Sequence, residues 1–459
     1  MSWNYSEAVD KFSFENLERY KEQLINLVKI RSISPGVTDK TEFFNILQAI
    51  GEITASLGFE NRIIETKGNP VFIAQLERDP NLPWVTIYNH MDVQPADEPQ
   101  WITEPFEPVV TDEKIIARGS TDDKGPALSI LYGIKFLLDN NIPSPNLQIV
   151  YETEEETGSP FFGQFLDDNP EALKKPYSIL VSDTVFEGDR PAITYKLKGM
   201  LRVEVGLKTG NKDLHSGMFG NGVVNPLNTL IQALSRCADS KGNVLIPGFF
   251  DGCPEMNEDE QKRLRAVADQ FDLEKFKQDS ADATLHTEDG FKILKRLWHL
   301  PTFEVHGFEG AQYEPGAMKS AIPYDVKAKV SMRLVPGQEP QHLVNCLQSF
   351  LRQVHPDIEV TSLGGQNAVL ADLNHPHMEL AREACRQGYR SDPLFVGCGG
   401  TIGSLPQFQR VYPGVPIVLI AQSLMSDGYH APNEEFRWEQ GRRGMQVMAC
   451  YLNLLNSVG

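Results

Sequence analysis

Carboxylate and imidazole side chains recur at five places where the sequence predicts the end of a strand or a nearby loop. These places are His90-Met91-Asp92, Asp122-Asp123, Glu154-Glu155-Glu156, Asp183 and His430. In an extended chain His90 and Asp92 point the same way, so one can bind a metal ion while the other orients it. Taken singly, each place is better explained by a structural role, such as a hydrogen-bonded pair, an acidic turn or a loop histidine.

Considered together, the five places indicate a metal centre, because open α/β sheets gather their ligands at the carboxyl ends of the strands. Two histidines and three or four carboxylates suit a pair of divalent ions, since imidazole favours zinc and a carboxylate can bridge two ions. A spare glutamate beside a ligand glutamate would be the base for water whose pKa a zinc ion lowers to about 7. The residues therefore predict a metal-activated water that attacks a carbonyl carbon.

The elements that must position these side chains are short apolar runs bounded by turn residues, which predict buried strands. They cover residues 71–76, 84–88, 147–151, 179–181 and 416–421. Apolar residues at helical spacing predict helices over 14–30, 42–57 and 126–138, the last with Pro126 in its first turn. This order predicts an α/β domain with a mostly parallel sheet covered by helices.

The pattern changes near Gly199, where residues 201–207 alternate as a half-solvated strand does. Two further alternating runs, 303–307 and 326–334, and helical patterns over 226–237 and 341–354 predict an α+β insertion. The acidic stretch 257–277 predicts surface helix. Because the α/β pattern returns after about Gly365, we expect a discontinuous first domain, residues 1–198 and 366–459, with residues 199–365 inserted.

Charge and composition exclude several classes of protein. The 459 residues contain 43 Lys and Arg against 62 Asp and Glu, a net charge of −19, which disfavours nucleic-acid and anionic-membrane partners. With 41% apolar and 23% charged residues, the chain can bury a large core. We expect a cytoplasmic protein, because neither a signal sequence nor a run of about 20 apolar residues is present and the six cysteines form no Cys-x-x-Cys pair.

Several motifs, in the same order along nearly the whole chain, resemble those of the dinuclear zinc metallopeptidase family of carnosinase, cytosolic nonspecific dipeptidase, aminoacylase, glutamate carboxypeptidase and succinyl-diaminopimelate desuccinylase. The resemblance is strongest to the carnosinase and cytosolic dipeptidase branch. Its motifs are His90-Met-Asp-Val-Gln-Pro-Ala, Arg118-Gly-Ser-Thr-Asp-Asp-Lys-Gly-Pro, Asp213-Leu-His-Ser-Gly and Met332-Arg-Leu-Val-Pro.

The resemblance implies a role for each residue of the metal centre. His90, Asp122 and Asp183 would hold one ion, and Asp122, Glu156 and His430 the other, so that Asp122 bridges the two. Asp92 would orient His90. Glu155 would be the general base and then the acid that protonates the leaving amine. The family also implies a cis peptide bond directly after Asp122.

The inserted domain resembles the family's lid and dimerisation domain, which implies a homodimer. In the resemblance His215 reaches the partner subunit's active site and stabilises the oxyanion. Arg333 matches the residue that binds the substrate carboxylate, a task that suits a guanidinium. Ser320, Gly400 and Thr401 align with further substrate contacts. The chain departs from the family pattern at Cys398, where relatives usually carry an acid, and at Gly403, where they carry proline, so substrate specificity is open there.

We therefore expect a metal-dependent hydrolase of a peptide or amide bond in small substrates that carry a carboxylate. A dipeptidase is the first choice, with two Zn²⁺ or Mn²⁺ ions per subunit as cofactors. A deacylase of N-acyl or N-succinyl amino acids, such as a succinyl-diaminopimelate desuccinylase, is the alternative. A metal-binding protein without turnover is a remote one, which the intact Glu155 disfavours.

Overall fold

The computed structural model describes residues 4–311 and 320–456, which form two compact units. The first unit comprises the chain up to Tyr195, Ala371–Val396 and the chain from Ile402 onwards. The second comprises Lys196–Leu370 and the short loop Gly397–Thr401. The expected inserted domain, residues 199–365, falls within the second unit.

The strands are β1 Glu60–Ile64, β2 Val71–Leu76, β3 Trp84–His90, β4 Val109–Val110, β5 Lys114–Ile116, β6 Asn146–Glu152, β7 Pro176–Val181, β8 Ala192–Leu197, β9 Gly199–Lys208, β10 Leu214–His215, β11 Glu304–Glu309, β12 Ala321–Ile322, β13 Asp325–Leu334, β14 Glu359–Gln366, β15 Val369–Leu370, β16 Leu394–Cys398, β17 Ile417–Ile420 and β18 Glu435–Arg437.

The helices are α1 Ser6–Glu15, α2 Leu17–Val28, α3 Thr41–Ser56, α4 Gly125–Asp139, α5 Phe162–Asp168, α6 Ser216–Phe219, α7 Pro226–Leu234, α8 Glu258–Ala268, α9 Leu273–Asp279, α10 Gly290–His299, α11 Pro340–Leu351, α12 Pro376–Tyr389, α13 Ser404–Val411 and α14 Trp438–Leu455. Tight helical turns occupy Ser120–Lys124, Glu155–Thr157 and Met425–Asp427.

The main sheet of the first unit runs in the order β1-β2-β6-β3-β7-β17-β8. Its four central strands, β6, β3, β7 and β17, pair in parallel. The outer strands β1, β2 and β8 pair antiparallel, as the short connection between β1 and β2 requires. The central strands are almost completely buried, which explains their continuous apolar sequence. The α/β fold class is confirmed.

Helices α4 and α14 show how closely helices pack in the core of this unit. Gly133 on α4 allows the close approach, because a Cβ atom there would lie 2.9 Å from the carbonyl oxygen of Met445 and 3.0 Å from the amide nitrogen of Ala449. Both helices bury most of their side chains in the hydrophobic core. The N-terminus of α4, which follows the Asp122 turn, is therefore held firmly in the unit.

The second unit contains an antiparallel sheet in the order β11-β13-β9-β14. Alternate residues of β9 and β13 are buried, and they pack with α7 and α11 in a separate hydrophobic core. The acidic stretch is helical, as expected, but is divided into α8 and α9. A capping box between Asn257 and Glu260 starts α8.

Two details differ from the pattern in the sequence. The helix predicted over residues 14–30 is two helices, with the break at Asn16, whose side chain donates a hydrogen bond to the carbonyl of Phe12 at 2.9 Å. Such local bonding competes with the helical ladder. Strand β3 extends beyond residue 88, so that His90 is its last residue and pairs with Glu152.

Candidate metal centre

The side chains singled out in the first unit are positioned by the ends of the parallel strands. His90 ends β3, Glu155 and Glu156 follow β6 in a short helical turn, and Asp183 lies two residues after β7. His430 is in the loop after β17, and Asp122 is in the turn before α4. Because β3, β6, β7 and β17 are parallel, their carboxyl ends lie at one edge of the sheet. The Asp122–Asp123 peptide bond is cis, as the resemblance implies.

The first group of possible ligands is His90, Asp122 and Asp183, whose ligand atoms all lie within 4.8 Å of one another. His90 Nε2 is 2.8 Å from Asp122 Oδ1 and 3.9 Å from Asp183 Oδ2. His90 is fully buried. Two ligands about 2.0–2.1 Å from a zinc ion at a tetrahedral angle lie roughly 3.3 Å apart, so this group fits one divalent ion.

The second group is Asp122, Glu156 and His430, again with ligand atoms within 4.8 Å of one another. His430 Nε2 lies 3.1 Å from Asp122 Oδ2 and 3.0 Å from Glu156 Oε2. Asp122 therefore presents one oxygen to each histidine and belongs to both groups. A carboxylate shared in this way is suited to bridging two ions.

Burial and mutual repulsion shift the titration of these acids. Burial raises the pKa of Asp183 to about 7, and the neighbouring carboxylates of Asp122 and Glu156 act in the same direction. Burial alone would lower the pKa of His430, but its hydrogen bonds to Asp122 and Glu156 raise the pKa to about 11. So many acids packed in a buried site favour the binding of cations.

Glu155 is placed beside the ligands without belonging to either group. Burial raises its pKa well above the ordinary value, while the charge of His90 opposes this and the charges of Asp183 and Glu156 add to it. The backbone amide of Glu155 donates to Asp92 Oδ1 at 3.2 Å, and the amide of Glu156 donates to Asp92 Oδ2 at 3.0 Å. A carboxyl group whose pKa is raised in this way takes up a proton more readily than an ordinary glutamate, which suits a residue that accepts and then returns a proton.

Two further residues contact the site, although the sequence alone did not indicate a role for them. Gln94 donates from Nε2 to Glu156 Oε2 at 2.8 Å, and the hydroxyl of Ser34 donates to Asp92 Oδ2 at 2.6 Å. Both hold a carboxylate of the centre in place. Gln94 lies inside the motif that begins at His90, and this position could have indicated that it contacts the site. Ser34 lies 58 residues before Asp92 in the chain, and no pattern in the sequence indicates that it contacts the site.

In the second unit, Arg333, Thr401 and Gly400 come together near Cys398. Arg333 Nη1 donates to the Thr401 hydroxyl at 3.0 Å, and that hydroxyl donates to the carbonyl of Lys198 at 2.5 Å. The amide of Gly400 donates to Cys398 Sγ at 3.3 Å. Burial lowers the pKa of Arg333. The loop in which this chain departs from the family pattern therefore contacts the arginine expected to bind a carboxylate.

The remaining two site residues, His215 and Ser320, form a separate group in the second unit. His215 ends β10 and pairs with Ala321 of β12, and the amide of Ser216 donates to the carbonyl of Ser320 at 3.0 Å. Both residues are exposed. His215 Nδ1 accepts the amide of Gly217 at 3.1 Å, which leaves Nε2 as the nitrogen that can donate outwards.

Across the described ranges, every helix is too short or too polar to span a membrane.

Comparison with known proteins places the chain in a family. The model of peptidase family M20/M25/M40 matches residues 86–454. The chain is 29% identical over 449 residues to the Beta-Ala-His dipeptidase of Homo sapiens, covering 94% of this chain and 85% of that protein. It is 28% identical over 477 residues to the Cys-Gly metallodipeptidase dug1 of Schizosaccharomyces pombe, covering 98% of this chain and 99% of that protein.

A solved structure agrees with these sequence matches. The M20 family metallo-carboxypeptidase Sso-CP2 from Sulfolobus solfataricus superimposes with a TM-score of 0.87 at 29% identity, over 96% of this chain and 99% of that one. The resemblance seen in the motifs is thereby confirmed. The chain belongs to the peptidase family M20/M25/M40.

Proposed function

We propose that the protein is a dipeptidase that hydrolyses small peptides with a free carboxylate. The observation that carries the proposal is the pair of ligand groups that share Asp122, with Glu155 beside them. Relatives named as dipeptidases, Beta-Ala-His dipeptidase and Cys-Gly metallodipeptidase, support the choice of substrate.

His90, Asp122 and Asp183 would hold one divalent ion, and Asp122, Glu156 and His430 the other. When bound, such ions supply the Lewis acidity that polarises a carbonyl and acidifies a water molecule. Zinc suits the imidazole ligands, and manganese suits the carboxylates. Glu155 takes the proton of the attacking water and then donates it to the leaving amine, while Asp92 holds the backbone of Glu155 in place.

The substrate carboxylate would be bound by Arg333, with Thr401 and Gly400 beside it and Ser320 as a further contact. Within the described residues neither Arg333 nor Lys198 forms an ion pair with a carboxylate. Arg333 donates to Thr401, and Lys198 donates to the carbonyl of Arg296 at 3.0 Å. Two cations that form no ion pair with a carboxylate of the described residues favour an anionic group of the substrate.

The same observation supports a second candidate function, the deacylation of N-acyl or N-succinyl amino acids. Such a substrate carries the same carboxylate as a dipeptide, and its amide bond would be hydrolysed by the same metal centre. The two functions differ only in the group on the amino side of the bond that is cleaved.

We also propose a cytoplasmic homodimer in which His215 of one subunit donates to the oxyanion formed in the other. His215 is exposed, and apolar side chains beside it are exposed too, including Met218 at 77% and Phe219 at 41%. Such a patch fits an interface between two copies of the chain. All six cysteines are free thiols, which suits a reducing compartment.

A panel of dipeptides and matched N-acyl amino acids, incubated with zinc- or manganese-loaded protein, tests the function through release of the amine. We expect hydrolysis of dipeptides, or of N-acyl amino acids if the second candidate is correct. Loss of activity on prolonged chelation and its return with zinc, manganese or cobalt would tie the activity to the centre. Loaded protein that binds two ions but hydrolyses neither class would be a metal-binding protein without turnover.

A further inference from the structure

Glu434 is a fully buried carboxylate that accepts four hydrogen bonds from the loop carrying Asp122. Its Oε1 accepts the backbone amides of Thr121 at 2.9 Å and Asp122 at 3.1 Å. Its Oε2 accepts the amide of Gly119 at 2.8 Å and Arg118 Nη1 at 3.0 Å. Charge-assisted hydrogen bonds of this kind are stronger than neutral ones, so the loop backbone is fixed by one side chain.

Arg118 extends this connection to two other loops. It is 1% exposed, and its Nη1 lies 3.3 Å from the carbonyl of Ala431, directly after His430. Its Nη2 donates to the carbonyl of Pro95 at 3.1 Å, in the loop that follows β3. The Arg118–Glu434 ion pair therefore joins three loops, each of which carries a residue of the candidate metal centre.

We propose that Glu434 is a positioning residue of the metal centre, which fixes the backbone of Asp122 and ties it to the loop of His430. The proposal rests on the proposed function, because Asp122 is assigned there as the ligand shared by two ions. Asp122 can face His90 and His430 with one oxygen each only if its backbone holds one position. The hydrogen bond that the backbone amide of Asp122 donates to Glu434 Oε1 supplies that restraint.

The position of Glu434 supports a role beyond holding the fold together. Glu434 and Asp122 are both buried acids, and Glu434 accepts the amide of Asp122 itself, so an apolar side chain at position 434 would avoid the cost of burying a second acid here. The negative charge instead holds three amide groups that converge on it within four residues of the chain. Residues that orient the ligands of a metal ion commonly change metal affinity roughly 10–100-fold when they are replaced.

The test is the metal content and the metal affinity of Glu434→Gln. Glutamine has the same size, but it places an NH₂ group against backbone N–H donors. The matched control is Asp10→Asn, which also removes the charge of an acid paired with an arginine. Asp10 accepts hydrogen bonds from Arg442 at 3.1 Å and Gln446 at 2.8 Å, both on α14 and neither of them a proposed ligand.

We expect Glu434→Gln to bind its ions at least roughly tenfold more weakly in a competition with a chelator, and to hold fewer than two after dialysis. Asp10→Asn should retain two ions, although both variants can lower the melting temperature. Excess metal should restore part of the turnover of Glu434→Gln. Wild-type affinity in Glu434→Gln, or equal metal loss in the control, would overturn the proposal. Wild-type protein that never binds two ions would instead overturn the proposed function, and this inference with it.

Discussion

The carboxylate of Asp92 accepts the backbone amide of Glu156, with 3.0 Å between Oδ2 and the nitrogen. Its other oxygen accepts the amide of Glu155 at 3.2 Å and lies 3.5 Å from Nδ1 of His90. One fully buried side chain therefore contacts a proposed ligand and the segment that carries the proposed base. The position of the proposed base relative to the proposed metal ligands depends on this carboxylate.

Replacing Asp92 tests that dependence. Asn at this position keeps one oxygen but turns an NH₂ group towards a backbone amide, so we expect Asp92→Asn to lose roughly 10–100-fold in metal affinity and in kcat. Ser34→Ala removes only the hydroxyl that donates to Asp92, and it should cost much less. Metal titration by calorimetry and turnover measurements on both variants check this. Wild-type metal affinity and kcat in Asp92→Asn would show that Asp92 does not position His90 or Glu155.

The roles of the two adjacent glutamates can be separated. Glu155→Gln should keep about two ions per chain while losing at least the ~10²-fold in kcat typical of a general base. Glu156→Gln should lower the metal content, because Glu156 is one of the three residues of the second ligand group, with Asp122 and His430. Elemental analysis beside kinetics distinguishes these results. Metal loss at Glu155 with retention at Glu156 would mean that the two roles are exchanged.

The oxyanion role proposed for His215 predicts a loss of roughly 10²–10³-fold in kcat for His215→Ala, with the metals still bound. If His215 acts across the dimer, mixing His215→Ala chains with Glu155→Gln chains should restore activity. In a mixed dimer, the site that keeps Glu155 receives an intact His215 from its partner. Random exchange makes about half of the dimers mixed, each with one working site, so recovery should approach about a quarter of wild-type activity.

The mixing experiment needs proof that subunits exchange, for instance by mass spectrometry of chains with different tags. Exchange without recovered activity would mean that His215 acts in the active site of its own chain, or has no role in catalysis.

A buried histidine outside the site predicts how stability depends on pH. His377 is 1% exposed, and neither ring nitrogen has a hydrogen-bond partner among the described residues. Burial, assisted by the charge of His375, lowers its pKa to about 4. The unfolded chain, with an ordinary pKa near 6.5, therefore binds the proton more readily, so folded stability decreases as the pH falls from about 6.5 towards 4.

His377→Phe should reduce this acid sensitivity. We expect its melting temperature, compared with that of the wild type, to rise progressively as the pH is lowered through this range. The control His286→Gln changes an exposed histidine and should follow the wild type at each pH. A difference between His377→Phe and the wild type that stays constant with pH would show that His377 does not titrate on unfolding.

The sequence predicts the proposed ligands because each of them lies next to a recognisable strand or helix. His90, Glu156 and Asp183 come at or shortly after apolar runs that form parallel strands, and their convergence follows from that arrangement. The choice of Asp122 over Asp123 came from the family resemblance. The structure gives this choice a geometric basis, since the oxygens of Asp122 face both histidines.

Other features depend on contacts between distant segments, which local patterns do not contain. Ser34 reaches Asp92, and Glu434 reaches the loop of Asp122, across 58 and 312 residues of chain. The break at Asn16 was also missed, because the apolar spacing continues through it. A short polar side chain that bonds to its own helix interrupts the ladder without changing that spacing.

The place of β17 in the main sheet determines when the first unit can be completed during synthesis. β17 lies between β7 and β8, yet it is made more than 200 residues after them. At the usual rate of about 5–20 residues per second, the ribosome needs roughly ten seconds or more to supply it. Until β17 is made, the edges of β7 and β8 that pair with it lack their partner strand, and an unpaired strand edge is prone to aggregation. The main sheet of the first unit can therefore be completed only after the whole of the second unit has been synthesised.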